Sequence, residues 1–440
     1  MPLDLLLSIL EFSIVNLPLS IENVVRRPPP ADSQGQPMRF AELTLATAVI
    51  ILPLTGKPVA TGLDNIGEYK QLFDAKRVGI ITNHTAYSSS VQYIVDVFHG
   101  IDGARITALF SPEHGIDGAQ EAGEAVEGQT DTRYNLPVYS LYGKTNKPTA
   151  EMLKNIDVLV FDIQDIGARF YTYISTMSLA MEAAAEYGKR FVVLDRPNPI
   201  NGLKVEGNIL EPEFTSFVGM HPVPVRHGMT VGELAAMFNQ QGWLRNGIRA
   251  DLVVVRMKGW RRRMWYDQTG LTFIKPSPNI PDLQTATVYP GLCLLEGTNV
   301  SEGRGTEMPF RQFGAPWIDS KSLAVRLNRL NLPGLRFEPT DFTPTSSKYQ
   351  GQKCHGAKVV ITNRELLEPY YSGIMIVNEL FRMYPEALRW NAEHFDHLCG
   401  TSSVRQAITV QSSLEELKKS WQPELKSFLD VRKKYLMYPD

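Results

Sequence analysis

Four apolar runs of this chain end on side chains that can move protons or hold hydroxyl groups. "RVGIITN" (77–83) stops at Asn83 and His84, and "ARITALFSPEHG" (104–115) at Glu113 and His114. "DVLVFDIQD" (157–165) carries Asp162, Gln164 and Asp165 at its end, and "RFVVLDRPNP" (190–199) carries Asp195, Arg196 and Asn198. A packed sheet needs none of these at its strand ends. One reads as a helix cap and two as an ion pair, but four strands ending this way read as a site. A carboxyl withdrawn into a strand-end pocket suits proton transfer, and Glu113 is the first candidate, with His114 beside it. The next segment, "DIGARFYTYIST" (165–176), adds Arg169, Tyr171 and Tyr173. Alternate tyrosines on an extended stretch point to one side. Aromatic faces beside carboxylates suit a sugar, which stacks its axial hydrogens and hydrogen-bonds through its hydroxyls; the alternative is that both rings pack under a loop.

The elements that must position these groups alternate. Short β-branched runs are separated by helical stretches such as "STMSLAMEAAAEYGK" (175–189), and "TVGELAAMFNQQGW" (230–243) reads as a further helix. That rhythm predicts βαβ units and an α/β fold with a Rossmann-like, mostly parallel sheet, whose strand ends share one edge. No glycine occurs in "ITNHTAYSSS" after the first run, so the close backbone approach of a dinucleotide is disfavoured. A phosphate loop is absent too, and no cofactor is expected. Beyond residue 245 the character changes, first to a cluster of Arg and Trp. A Gly- and Pro-rich stretch (276–317) follows and reads as a long functional loop carrying Asn279, Glu296, Asn299, Glu302 and Arg304. "AKVVIT" (357–362) and a helix over 368–384 predict a smaller α/β domain, and the last forty residues read as helical. The expected division is an N-terminal extension (1–60), a Rossmann-like domain (61–245) and a smaller C-terminal domain (246–440) closing a cleft.

Composition narrows the function classes. The 440 residues are 43% hydrophobic and 21% charged with a net charge of -2, which argues against a nucleic-acid groove or a polybasic membrane patch. Cys293, Cys354 and Cys399 are far apart with no C-x-x-C, so free buried thiols are expected over a zinc site, a single Cys354–Cys399 bridge being the alternative. His394 and His397 lack an H-E-x-x-H setting and read as surface or capping residues; His221 and His227 flank "PVPVR" and line a loop rather than a zinc site. The stretch 38–60 has Arg39, an apolar core from Leu43 to Leu54 and small residues up to Ala60. It resembles a secretory signal starting at Met38, too short for a convincing membrane span, and predicts a secreted or periplasmic protein. The alternative is an N-terminal tail on a cytoplasmic one.

Longer motifs add a resemblance. "LFSPEHG", "LPVYSLYG", "DVLVFDIQDIGARFYTYISTM", "VVLDRPNP", "SFVGMHPVPVRHGMTVGELA", "PSPNIP", "YPGLCLLEGTNVSEGRGT" and "FGAPWID" together resemble the NamZ (YbbC-like) exo-β-N-acetylmuramidases, from about residue 62 to the C-terminus. The resemblance implies an exo-acting glycosidase that releases N-acetylmuramic acid from the non-reducing end of peptidoglycan fragments, with its site between a Rossmann-like and a smaller domain. Such chemistry needs a carboxyl acid and a second group across the ring. Glu113 is the expected acid, tuned by His114 or Arg169. Asp162, Asp165, Glu296 and Glu302 are candidates for the second group. Tyr171 or Tyr173 as nucleophile, or the sugar's own acetamido group, are alternatives to it. Arg169, Arg196 and Arg304 are candidates for the lactyl carboxylate. Asn83, Gln164, Tyr173, Asn198, His227, Asn299 and Glu302 complete the expected substrate-binding set. The expected partners are peptidoglycan-derived muropeptides or disaccharides. A non-catalytic muropeptide-binding protein using the same cleft is the rival reading.

Overall fold

β1 (Lys76–Thr82), β2 (Ala104–Ser111), β3 (Gln129–Asp131), β4 (Leu136–Ser140), β5 (Val158–Asp162), β6 (Arg190–Leu194) and β9 (Asp251–Val255) form one sheet in the order β3-β4-β2-β1-β5-β6-β9. All neighbours are parallel except β3 with β4. The protein is described by a computed structural model covering residues 57–121, 123–124 and 128–440. Most of the signal-like stretch, 38–56, therefore lies outside the described residues, as does the extension before it.

Period two explains the layers. Ile81, Phe161 and Val193 point to one face, and Val78, Ile80, Val160 and Val192 to the other, so each central strand is buried on both sides and reads as a continuous apolar run. The second face is covered by α1 (Ile94–His99) through Ile94, Val95 and Phe98. The first is covered by α2 (Tyr173–Glu186) and α3 (Val231–Gln240). The helix α3 starts where a capping box dictates: Thr230 accepts from the Glu233 amide while the Glu233 side chain accepts from the Thr230 amide.

The chain order reverses beside β1, and an open sheet usually takes its ligand at such a switch point. Protein fills that crevice here. The carboxyl of Asp162 forms a fully buried fork with Arg196, whose guanidinium also donates to Tyr87 O at 3.1 Å. Asn83 accepts from Thr85 and donates to Tyr173 Oη at 3.1 Å. Asp195 at the end of β6 accepts from Thr230, Gly232 and the C-terminal Tyr438 hydroxyl.

The rest of the chain builds a cap over the sheet edge. β7 (Glu206–Ile209) and β8 (Pro224–Arg226) pair as a short ribbon. β10 (Gln312–Ala315), β11 (Leu335–Phe342) and β12 (Cys354–Ile361) form an antiparallel sheet in the order β10-β12-β11. The Gly- and Pro-rich stretch expected as a loop contains α4 (Leu283–Leu292), capped by Asp282 and followed by a 3-10 turn, Cys293–Gly297. From Thr285 to Leu292 every residue of α4 is buried, so no amphipathic stripe marks it in the sequence. Helix α5 (Ser320–Arg329) packs on the small sheet, and α6 (Pro369–Met383) crosses α4. The crossing is backbone on backbone: a Cβ on Gly291 would lie 1.8 Å from Pro369 O, and one on Gly373 would lie 2.3 Å from Gly291 O. Helices α7 (Ala392–Cys399) and α8 (Gln422–Arg432) complete the chain.

Residues Lys57–Asp440 form one compact unit. The last strand of the large sheet, β9, lies beyond residue 245, and the C-terminal Tyr438 returns to the end of β6. Among the described residues no helix is long and apolar enough to cross a membrane. The three cysteines are free and buried, so no Cys354–Cys399 bridge forms.

Candidate active site

After Ser111 the chain turns at Pro112, with Gly115 N donating to Pro112 O at 3.1 Å and His114 in the left-handed region at φ 73°. That turn aims Glu113 away from the sheet into a cavity of 610 Å³ between the sheet edge and the cap. Both its oxygens accept hydrogen bonds: Oε1 from Gly123 N at 3.0 Å, and Oε2 from Thr172 Oγ1 at 2.6 Å. Thr172 is the residue from which α2 starts, so the sheet and the helix fix the carboxylate from two directions. The Tyr142 phenol also lines this wall; burial, and then the neighbouring Glu113 charge, push its pKa up. His114 Nδ1 lies 2.7 Å from Gln120 O, and burial lowers its pKa more than the Glu113 charge raises it.

The opposite wall comes from the cap. Glu296 sits on the 3-10 turn after α4, Glu302 and Arg304 on the loop before β10, Lys348 on the β11–β12 connection and His394 on α7. Arg304 Nη2 reaches Glu296 at 2.6 Å, and its Nε lies 3.3 Å from Glu302. Lys348 Nζ reaches the other Glu302 oxygen at 3.0 Å, and His394 Nε2 lies 3.5 Å from Glu296. Burial opposes ionisation of Glu296, but Arg304 and His394 outweigh it and hold the carboxyl at about 2. Aromatic rings line the cavity between the two walls. Tyr289 meets Phe170, Tyr171 and Phe310 edge-to-face at 5.5, 5.9 and 4.8 Å between centroids. A polar rim around aromatic faces is the surface a pyranose ring requires.

Glu113, His114, Tyr171, Asn279, Glu296, Glu302 and Arg304, all singled out in the sequence, line this cavity. The other expected site residues do not, and each has a physical reason. Asp162 and Arg196 are spent on each other in the filled crevice. Asn83 is held by Thr85 and Tyr173, and the Tyr173 hydroxyl donates to Pro276 O at 2.6 Å. Gln164 donates to the carbonyls of Asp165 and Pro197. Asp165 accepts from Gly167 N at 2.7 Å, and burial pushes its carboxyl up to about 7. Asn198 bridges Met229 O and Ile200 N. His227 accepts from Met229 N, and burial lowers its pKa to about 3. Asn299 pairs with the backbone of Ala387 and Arg389. Arg169 is a clamp: its guanidinium donates to the carbonyls of Asn208, Val223, Leu398 and Cys399 at 2.7–3.1 Å.

Sequence reasoning missed Thr172, Tyr142, Lys348 and His394. Thr172 lies between the two tyrosines already singled out. His394 corrects the surface reading: it shares a face of α7 with Leu398, four residues on, and both line the cavity. Lys348 carries no local signal. Among the described residues no group of three or more His, Cys, Asp or Glu side chains is placed to hold a metal ion.

Comparison with known proteins agrees along the chain. Two family models match, "Exo-beta-N-acetylmuramidase NamZ, N-terminal" over residues 78–284 and its C-terminal counterpart over 287–438. The peptidoglycan β-N-acetylmuramidase NamZ of Bacillus subtilis (strain 168) is 48% identical over 382 residues, covering 86% of this chain and 91% of its own. Crystal structures of two DUF1343 family proteins from Bacteroides fragilis NCTC 9343 share the fold with TM-scores of 0.81 and 0.71, at 39% and 32% identity. Each covers 87% of this chain, and 100% and 99% of its own length respectively.

Proposed function

The chain belongs to the NamZ exo-β-N-acetylmuramidase family, and from that premise we propose how its cavity cuts a glycosidic bond. The protein is an exo-acting glycoside hydrolase that releases N-acetylmuramic acid from the non-reducing end of peptidoglycan fragments. The observation that carries the assignment of roles is the placement of Glu113: a buried carboxyl, braced through both oxygens, opposite a charged wall and beside aromatic faces.

Glu113 transfers the proton to the leaving oxygen. The Thr172 hydroxyl supports both states of that cycle, because its hydrogen rotates: it donates to the carboxylate and accepts from the carboxyl. The second group belongs to the cap or to the substrate. Glu296 and Glu302 are tied to Arg304 and Lys348, which suits them to shaping charge around the ring, and the sugar's own acetamido group remains a nucleophile that needs no protein carboxylate. Arg304 receives the lactyl carboxylate, because of the three arginines considered it alone lines the cavity. The test is turnover of para-nitrophenyl β-N-acetylmuramide beside the corresponding N-acetylglucosaminide. The expected result is hydrolysis of the muramide at least about 100-fold faster, the discrimination of a site built around a charged group its competitor lacks. Equal turnover of both would remove Arg304 from this role.

The work is done outside the cytoplasm. The apolar core from Leu43 to Leu54, followed by small residues, supports export, as does the location of a peptidoglycan substrate. Expressed in a bacterial host, the exported chain is expected to begin near residue 60 by N-terminal sequencing. A chain retained in the cytoplasm with Met1 or Met38 intact would overturn this.

A further inference from the structure

We infer that Lys348 is the positioning residue of the charged wall. Its ammonium is a built-in monovalent cation, seated among backbone carbonyls, that holds Glu302 and the Glu296 turn in place for the lactyl carboxylate at Arg304. This rests on the glycosidase reading and deepens it by naming what sets the charge of that wall. Lys348 Nζ lies 3.0 Å from Leu295 O, 3.1 Å from Val300 O and 3.0 Å from Glu302 Oε2, with Glu296 O further off at 3.4 Å. An ammonium has three protons to donate, and the three near acceptors use them all. Lys348 therefore lines the cavity with no donor left for a sugar, and acts through the groups it holds.

The backbone is bent to deliver it. Ser347 and Tyr349, on either side, stand in the left-handed region at φ 65° and 59°, where residues other than glycine are uncommon. Such conformations persist only where the surroundings over-determine them. Here Thr345 donates to Gly305 O through its amide at 2.8 Å and its hydroxyl at 2.9 Å, and Gly351 N donates to Pro344 O at 2.9 Å. The Tyr349 hydroxyl accepts from Trp317 Nε1 at 3.2 Å. Ser347 and Gln350 are exposed, while the Lys348 side chain turns inward to the cage.

The cage spans the segment that bears the site. Leu295 and Glu296 belong to the 3-10 turn after α4, and Val300 and Glu302 to the loop before β10. One cation thus ties the turn that carries Glu296 to the loop that carries Glu302 and Arg304. Charge adds a second effect. Among these four side chains, Arg304 and Lys348 balance Glu296 and Glu302. Without Lys348 the wall has one excess negative charge, and Glu302 competes more strongly for Arg304. An incoming lactyl carboxylate is then repelled, so the loss falls on binding rather than on proton transfer at Glu113.

Lys348→Ala retains Cβ, so the deleted piece is a propylammonium group and the vacated cage can be refilled from solution. On para-nitrophenyl β-N-acetylmuramide this variant is expected to raise KM by about tenfold or more, with kcat within about threefold of wild type. Propylammonium chloride is expected to recover at least about half of the lost kcat/KM. Tetramethylammonium chloride at equal ionic strength has no N–H to donate and is expected to recover none. Lys348→Met keeps the bulk of the stem without the charge. It should show the same rise in KM and no rescue, and it decides the matter even if the alanine variant fails to fold. An unchanged KM in a folded variant, or a folded alanine variant that neither salt rescues or both rescue alike, would overturn the assignment. A wild type idle on the aryl muramide would instead refute the glycosidase reading itself.

Discussion

Glu113→Gln is expected to lower kcat/KM on a muramyl disaccharide by about 10²–10⁴-fold while the protein keeps its melting temperature within a few degrees. Glutamine has the shape of the carboxyl it replaces. Its carbonyl still accepts from Gly123 N, and its amide can donate to Thr172 Oγ1 in place of the bond running the other way. What is lost is a transferable proton. The leaving group separates the roles open to Glu113. A sugar hydroxylate departs poorly without protonation, whereas para-nitrophenolate departs unaided. For a general acid the loss is therefore greater on the disaccharide than on the aryl glycoside. An equal loss on both would make Glu113 the nucleophile or base, and a fully active, folded variant would return it to a structural cap.

Arg169→Met is expected to destabilise the protein by about 3–5 kcal/mol, read by urea unfolding, with KM for the aryl muramide unchanged in the folded fraction. The buried guanidinium satisfies four carbonyls, two from the β7–β8 region and two from the end of α7. Burial lowers the Arg169 pKa to about 10, still far above neutrality, so the charge remains and is spread over those acceptors. Methionine fills the space and removes the donor from all four carbonyls; Cys399 O keeps the Asn208 amide at 2.9 Å, while the others lose about 1–3 kcal/mol apiece before relaxation. Arg169→Lys should fall between, since it keeps the charge but loses the planar fork. A normal unfolding curve with a raised KM would instead place Arg169 on the substrate.

The fate of Arg169 marks the limit of what was legible beforehand. The residue stands in a segment rich in aromatic and acidic groups, and nothing local separates a guanidinium that meets a ligand from one that meets carbonyls of residues 208, 223, 398 and 399. Arg196 and Asp162 illustrate the same point: each reads as a site residue alone, and the fold brings them together across 34 positions. His394 shows the reverse case, an unremarkable helix residue that gains its role through Glu296, almost a hundred positions earlier.

By itself the sequence determined the parallel sheet, the polar edge where its strands end, and Glu113 as the first candidate acid among the carboxyls on that edge. Those follow from local rules, because period-two burial, helix periodicity and a proline turn each act over a few residues. Tertiary structure alone decided which polar groups face the cavity and which are consumed within the protein. The physical reason is that a buried donor or acceptor must find a partner, and for a long polar side chain that partner lies tens to hundreds of residues away, so its assignment emerges only when the cap closes on the sheet.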